Sequence, residues 1–304
     1  MITLPNGVDI NNLIEDLKNY SWEAADILIN YSEKIKDFKV KNEFLKSIDL
    51  NNPVTEADLK VNESIIKNIR ENYSDIDWDI LSEENVKKNS QFEDFKSDWL
   101  WILDPLDGTK DFIQETGEYA MHLALNYQGR PYIGIVLIPS KNELWIAVGG
   151  KVWCEKRKSK SFKKYLLNRN KSLEEMILVT SKNHGNDNLQ RLIKKINFKK
   201  VIKMGSIGCK MASIIRGESD IYISVSLPNK SSPKDWDFAA PEAILKAAGG
   251  AITKINNQDL FYGKPNFEQR GIIVASNDNL RHKTICSQLR ELINEYEVYP
   301  LTLN

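Results

Sequence analysis

The segment WLWILDPLDGTKDF, residues 99–112, ends an apolar run in two carboxylates, Asp104 and Asp107, with Pro105 between them and Gly108 and Thr109 directly after. Held on one rigid turn, each carboxylate raises the cost of ionising the other. A hard divalent cation removes that cost. Mg²⁺ suits the pair because it takes near-octahedral oxygen ligands and often bridges to a phosphate. Pro105 fixes the backbone between the acids, and Gly108 permits a conformation closed to other residues. A turn reading DGT also presents backbone N–H groups to an anion, so a phosphate can sit there while its oxygens ligate the same metal.

Further acids fall at the expected ends of elements: Asp58 after NNPVTEA, Glu83 and Glu84 in ILSEEN, and Asp237 in KDWDFAAPEAILKAAGG. Each also has a local explanation. Asp58 fits the last position of a TEAD capping box, the two glutamates fit a solvated loop, and Asp237 fits a helix N-cap with Gly249 and Gly250 closing the far end. The pair Asp104 and Asp107 resists such an explanation. Haloacid-dehalogenase-type phosphatases use D-x-D-G-T with the first Asp as covalent nucleophile, but here the residue two before Asp107 is Pro105. An activated water is therefore the better nucleophile. His122 lies in an alternating strand pattern and is expected to be structural, and His184 and His282 fall in no motif.

The elements that must position these acids follow from hydrophobic periodicity. Leu13, Leu17, Ala24, Ala25, Leu28, Tyr31 and Ile35 keep helical spacing over residues 12–36, and a second helix starts at Thr55 and runs to about Tyr73. The period then changes to that of strands at 78–81, 99–103, 119–127, 132–138 and 143–148, broken by turn signals such as Gln128-Gly129. A basic, exposed stretch from Glu155 to Tyr165 follows Gly149 and Gly150. Beyond it, strands are expected at 176–180, 220–225, 251–255 and 271–276, and helices at 187–196, 207–216, 237–248 and 279–293. The fold class is α/β. An α+β first half with antiparallel strands, residues 1–170, holds the candidate metal- and phosphate-binding turn, and a smaller α/β half, residues 171–304, which carries Asp237, is expected to complete the site.

Composition narrows the partners. The 304 residues are 41% hydrophobic and 28% charged, which describes a globular chain able to bury a sizeable core. The 42 basic and 42 acidic side chains cancel, so no global field recruits a nucleic acid polymer or an anionic membrane, and an anionic ligand needs a local positive centre. Cys154, Cys209 and Cys286 are scattered and odd in number, which suits a reducing compartment. The N-terminal MITLPNGVDINN has neither the basic nor the apolar region of a signal peptide, and no apolar run approaches a membrane span. The expectation is a soluble, cytoplasmic protein.

Taken together, PVTEAD, LSEE, WILDPLDGTKDF, GSIGCK and DWDFAAPEAILKAAGG resemble, in order and over nearly the whole chain, the inositol monophosphatase superfamily of Mg²⁺-dependent, lithium-sensitive phosphatases. The resemblance implies a layered αβαβα sandwich with the site between its halves. It implies that Glu83, Asp104 and the carbonyl of Leu106 hold one metal and that Asp104, Asp107 and Asp237 hold a second. A third, weaker ion would involve Glu83 and, through water, Asp58. Asp58 and Thr109 would orient and deprotonate the attacking water, and Gly108 and Thr109 would give N–H groups to the phosphate. A homodimer is implied in the same way.

Within the superfamily, simple inositol monophosphatases usually read DGTTNF, whereas DGTKDF is close to the DGTKEF of the CysQ-type 3′(2′),5′-bisphosphate nucleotidase branch. GEYAMHLAL and GRPYIGIVLIP are similar to that branch as well. The implied substrate is a phosphorylated small molecule, 3′-phosphoadenosine 5′-phosphate, converted to AMP as a by-product of sulfate assimilation is cleared. Lys210 would meet the second phosphate unless it is an exposed helix lysine, and Ser206 and the loop 225–235 are the expected places for selectivity. The alternatives are an inositol-1-monophosphatase or other sugar-phosphate phosphatase, and a non-catalytic relative that binds a phosphorylated ligand.

Overall fold

The computed structural model describes residues 2–36, 56–88, 94–157, 170–182, 187–226 and 232–297. Its first sheet is built at its centre from runs that are apolar at nearly every position because both faces are covered. The strands are β1 (Asp79–Ser82), β2 (Trp99–Asp107), β3 (Ala120–Tyr127), β4 (Arg130–Ile138), β5 (Glu143–Val148) and β6 (Lys151–Glu155), in that order across the sheet. Only the β1–β2 pair in this sheet is parallel. Successive residues of β2 face opposite sides, as the period of two requires. Trp101 and Leu103 pack with Leu13, Leu17, Leu28 and Ile65 of α1 (Ile10–Lys36) and α2 (Glu56–Asn72), while Leu100 and Ile102 enter the core on the other side.

That other core holds two central helices, α6 (Ile207–Ile215) and α7 (Asp235–Ala247), and is closed by Tyr222, Ile252, Ile273 and Ala275 of a second sheet. The second sheet comprises β7 (Ile177–Ser181), β8 (Lys200–Met204), β9 (Ile221–Val225), β10 (Ala251–Lys254) and β11 (Ile272–Ser276), in the order β10-β11-β9-β7-β8. β7 runs parallel to β8 and β9, and β11 antiparallel to β9 and β10. Its outer face packs Val274 and Ile223 against Leu192 of α5 (Asp187–Ile196) and Leu289 of α8 (His282–Glu295). The layers are therefore αβαβα. Two short helices, α3 (Glu83–Lys88) and α4 (Thr109–Ile113), follow β1 and β2. The middle layer fits because of Gly134: a Cβ there would collide with that of Ala243 and lie 2.9 Å from the carbonyl of Ala240.

Several expectations change. β1 is parallel to β2, not antiparallel. The edge strands β6 and β8, KVWCE and KVIKM, were not expected, because charged residues bound the three apolar positions of the first and Lys203 interrupts the second. Glu83 and Glu84 open a helix instead of a solvated loop, and Glu84 is buried. α7 starts at Asp235, so Asp237 is not its N-cap: Lys234 takes that place, and the Asp237 carboxylate accepts its N–H. Thr55, His184, residues 158–165 of the basic stretch and residues 227–231 of the selectivity loop lie outside the described residues.

Candidate metal centre

The pairing of β2 with β3 shifts register between Asp104 and Asp107. Strict alternation would send side chains three apart to opposite faces, and the irregularity releases that constraint. α7 then brings Asp237 from the middle layer. One carboxylate oxygen from each of Asp104, Asp107 and Asp237 lies within 4.8 Å of the others. At an effective dielectric of about 20, two charges at that distance repel by about 3 kcal/mol.

Burial, followed by the charges of Glu83, Asp107, Asp237 and Asp58, pushes the Asp104 carboxyl well above the ordinary range. Burial and then Asp107 do the same to Asp237. Glu83 is also raised, chiefly by burial, with Lys87 opposing. Five acids thus share one field. Clustered all-oxygen donors of this kind, with Asp104 buried and Asp107 and Asp237 half-buried, match a hard divalent cation and not a soft one, so the residues present fit Mg²⁺.

Neighbouring groups fix the acids. Asp107 Oδ2 accepts from Ser206 Oγ at 2.7 Å and from the backbone N–H of Ile207, with His122 Nε2 3.5 Å away. Asp104 Oδ1 accepts from the Leu106 N–H at 3.0 Å, and the Thr109 hydroxyl donates to the Leu106 carbonyl at 3.1 Å. Gly108 has φ +90°, and a Cβ on it would lie 2.8 Å from the Glu118 carbonyl. No other residue type fits that corner without strain.

The structure thus gathers Asp104, Asp107 and Asp237, places Glu83 and Asp58 within electrostatic reach, and puts Leu106, Gly108 and Thr109 on the same turn. Ser206 engages Asp107 and caps α6 through the Cys209 N–H. The reading of Lys210 as an exposed helix lysine is corrected. It is 1% exposed, its ammonium donates to the Gly205 carbonyl, and burial pulls its pKa down against the pull of Asp107.

The contacts of three further residues escaped the sequence reading, which took His122 as structural. His122 leans on Asp107 while its Nδ1 lies 3.3 Å from the Trp236 carbonyl. Lys87 contacts Glu83, and Lys182 contacts Asp111. Only Lys87 had a sequence signal, its spacing of four from Glu83, and that signal has meaning only on a helix.

A family model described as the inositol monophosphatase family matches residues 11–294. The chain belongs to the inositol monophosphatase family. Among curated relatives, a 3′(2′),5′-bisphosphate nucleotidase CysQ of Buchnera aphidicola is 35% identical over 162 residues, 53% of this chain and 57% of that protein. The Escherichia coli Nus factor SuhB is 27% identical over 213 residues, 66% of this chain and 72% of that one. The matched region thus spans little more than half the length of the Buchnera relative. Among solved structures, CysQ from Bacteroides thetaiotaomicron aligns with TM-score 0.69 at 24% identity, covering 89% of this chain and 99% of that one. The Thermotoga maritima IMPase aligns with TM-score 0.69 at 23% identity, covering 94% and 99%. These structural likenesses share the fold described above. Among the described residues, no helix is long and apolar enough to cross a membrane.

Proposed function

We propose that this chain is a Mg²⁺-dependent phosphomonoesterase that hydrolyses the 3′-phosphate of 3′-phosphoadenosine 5′-phosphate to AMP and inorganic phosphate. The observation that carries the reading is the convergence of Asp104, Asp107 and Asp237 beside the Gly108–Thr109 turn. Their carboxylates, with Glu83 and the Leu106 carbonyl, would hold two or three ions. Bound there, Mg²⁺ lowers the pKa of a water and neutralises phosphoryl charge.

The chain's own groups supply the rest. Ser206 and the Ile207 N–H fix one oxygen of Asp107 and so orient the other. Thr109, anchored by its own proton to the Leu106 carbonyl, keeps its lone pairs for a proton of the attacking water. Asp58, buried within reach of the same field, would take the water's other proton. The N–H groups of Gly108 and Thr109 would face the phosphate. In this division the segment 1–170 supplies Asp58, Glu83, Asp104, Asp107 and Thr109, and the segment 171–304 supplies Ser206, Lys210 and Asp237.

The DGTKDF turn and the CysQ relatives support the nucleotide substrate. The Thermotoga maritima IMPase of the same fold names a second reading, an inositol-1-monophosphatase. Initial rates with Mg²⁺ on 3′-phosphoadenosine 5′-phosphate, inositol 1-phosphate and fructose 1,6-bisphosphate separate the two. A clear preference for the nucleotide is expected, and a preference for inositol 1-phosphate replaces the first reading with the second.

A further inference from the structure

We propose that Lys87 is a resident cation that competes with a divalent metal ion for Glu83, so that metal occupancy at this ligand is coupled to departure of the lysine. The inference rests on the reading that Glu83 belongs to the metal centre. Lys87 Nζ lies 2.9 Å from Glu83 Oε1 and 2.8 Å from Glu84 Oε1, bridging both from one turn further along α3. Glu83 lies within electrostatic reach of Asp104, so the lysine acts at the edge of the acid cluster.

Most helical pairs at this spacing are solvated and weak, but this one is not of that kind. Glu84 is 2% exposed, and the side chains of Lys87 and Glu83 are 23% and 21% exposed. Mg²⁺ approaches an oxygen ligand to about 2.1 Å. An ammonium already on Glu83 Oε1 would repel a second cation on the same carboxylate, so metal binding there and the Lys87 contact oppose each other. Glu84 offers the lysine a place to stay, because its contact survives when Glu83 turns to a metal. Asp104, Asp107 and Asp237 cluster without Glu83, so the competition falls on one ligand of the centre and leaves the other three carboxylates in place.

The test is calorimetric titration of Mg²⁺ into the chelator-treated full chain, with thermal unfolding as a check of folding. Lys87→Met is expected to tighten the Glu83-dependent binding event by about fivefold to tenfold, the effect of losing one partly buried ion pair. Lys87→Arg keeps the cation and should match the wild type. Lys88→Met removes the same charge from the exposed neighbour and should change binding by less than about twofold. Glu84→Gln leaves the lysine wholly to Glu83 and should weaken binding, a shift opposite in sign that serves even if Lys87→Met fails to fold. An unchanged isotherm in Lys87→Met, equal tightening in Lys88→Met, or no weakening in Glu84→Gln overturns the inference alone. A wild-type chain that binds no Mg²⁺ overturns the metal reading and the inference with it.

Discussion

Asp111 and Lys182 meet at 3.2 Å, Oδ1 to Nζ, joining the helix that follows the aspartate turn to the end of β7 in the second sheet. Asp111 is fully buried, and the Thr116 hydroxyl donates to the same oxygen at 2.9 Å. Gly205 passes so close that a Cβ there would collide with the carboxylate. The turn that carries the candidate metal ligands is thereby tied to the other half of the molecule.

Removal of the buried member should cost more than removal of the half-exposed one. Asp111→Ala is expected to lose about 3 kcal/mol of unfolding free energy, because it empties a fully buried site and leaves the Thr116 hydroxyl without this acceptor. Lys182→Met should lose about 1 kcal/mol, because its side chain is 36% exposed and water screens the pair. Urea unfolding of both variants checks the order, and equal losses would refute it.

The acid cluster predicts an exchange of stability for metal binding. Asp237→Asn removes one of three crowded charges, so the chelator-treated variant should unfold at a higher temperature than the chelator-treated wild type. Mg²⁺ at a hundred times its dissociation constant should stabilise the wild type by about 2.7 kcal/mol and the variant by much less. Melting curves with chelator and with Mg²⁺ read both effects, and a metal shift retained in full would exclude Asp237 as a ligand.

His282 gives the pH dependence a sign. Its Nδ1 lies 2.7 Å from Ser276 Oγ and its Nε2 2.9 Å from Thr253 Oγ1, and burial holds its pKa down to about 4. Between about pH 6.5 and 4 the unfolded chain therefore binds a proton that the folded chain does not. The contribution is fully present above about pH 6.5 and lost as the pH falls, by about 2 kcal/mol at about pH 5. Denaturant unfolding at the two pH values should show this loss in the wild type, and His282→Gln should remove that part of the slope.

Gly108 and Gly149 both have positive φ, but only the first is crowded: a Cβ on Gly108 would lie 2.8 Å from the Glu118 carbonyl, and one on Gly149 would meet nothing within 4 Å. Gly108→Ala should therefore lower both the melting temperature and kcat, the latter by about tenfold or more if the turn aims the reacting groups. Gly149→Ala should cost about 1 kcal/mol and leave kcat unchanged. A full-rate Gly108→Ala enzyme would show that the turn does not position the chemistry.

The layers were legible where burial is two-sided. WLWILDPLD reads as a strand because helices cover both faces of β2, and the alternation of later elements announced the second sheet. KVWCE and KVIKM escaped because they are edge strands, whose charged residues bound or interrupt the pattern that a central strand keeps. At the site, Asp104, Asp107 and Gly108 stood out because a turn concentrates them within five residues. Asp237 was visible only through family resemblance, since its meeting with Asp107 depends on how a middle-layer helix docks. Lys182 and His122 were invisible for the same reason: each finds its acid from a distant element, and local spacing carries no trace of such a meeting.

The missing methyl at Gly134 has a reach beyond its own strand. Ala240, against which that glycine packs, lies one turn after Asp237 on α7. The thickness of the middle layer is thus converted into the bite of a chelate, and a wedge at residue 134 would open the claw from its hinge side. Gly134→Ala, placed on a strand that contributes no ligand, should therefore weaken Mg²⁺ binding in the same calorimetric titration. The gauge of this cage is set by how closely a sheet and a helix are allowed to touch.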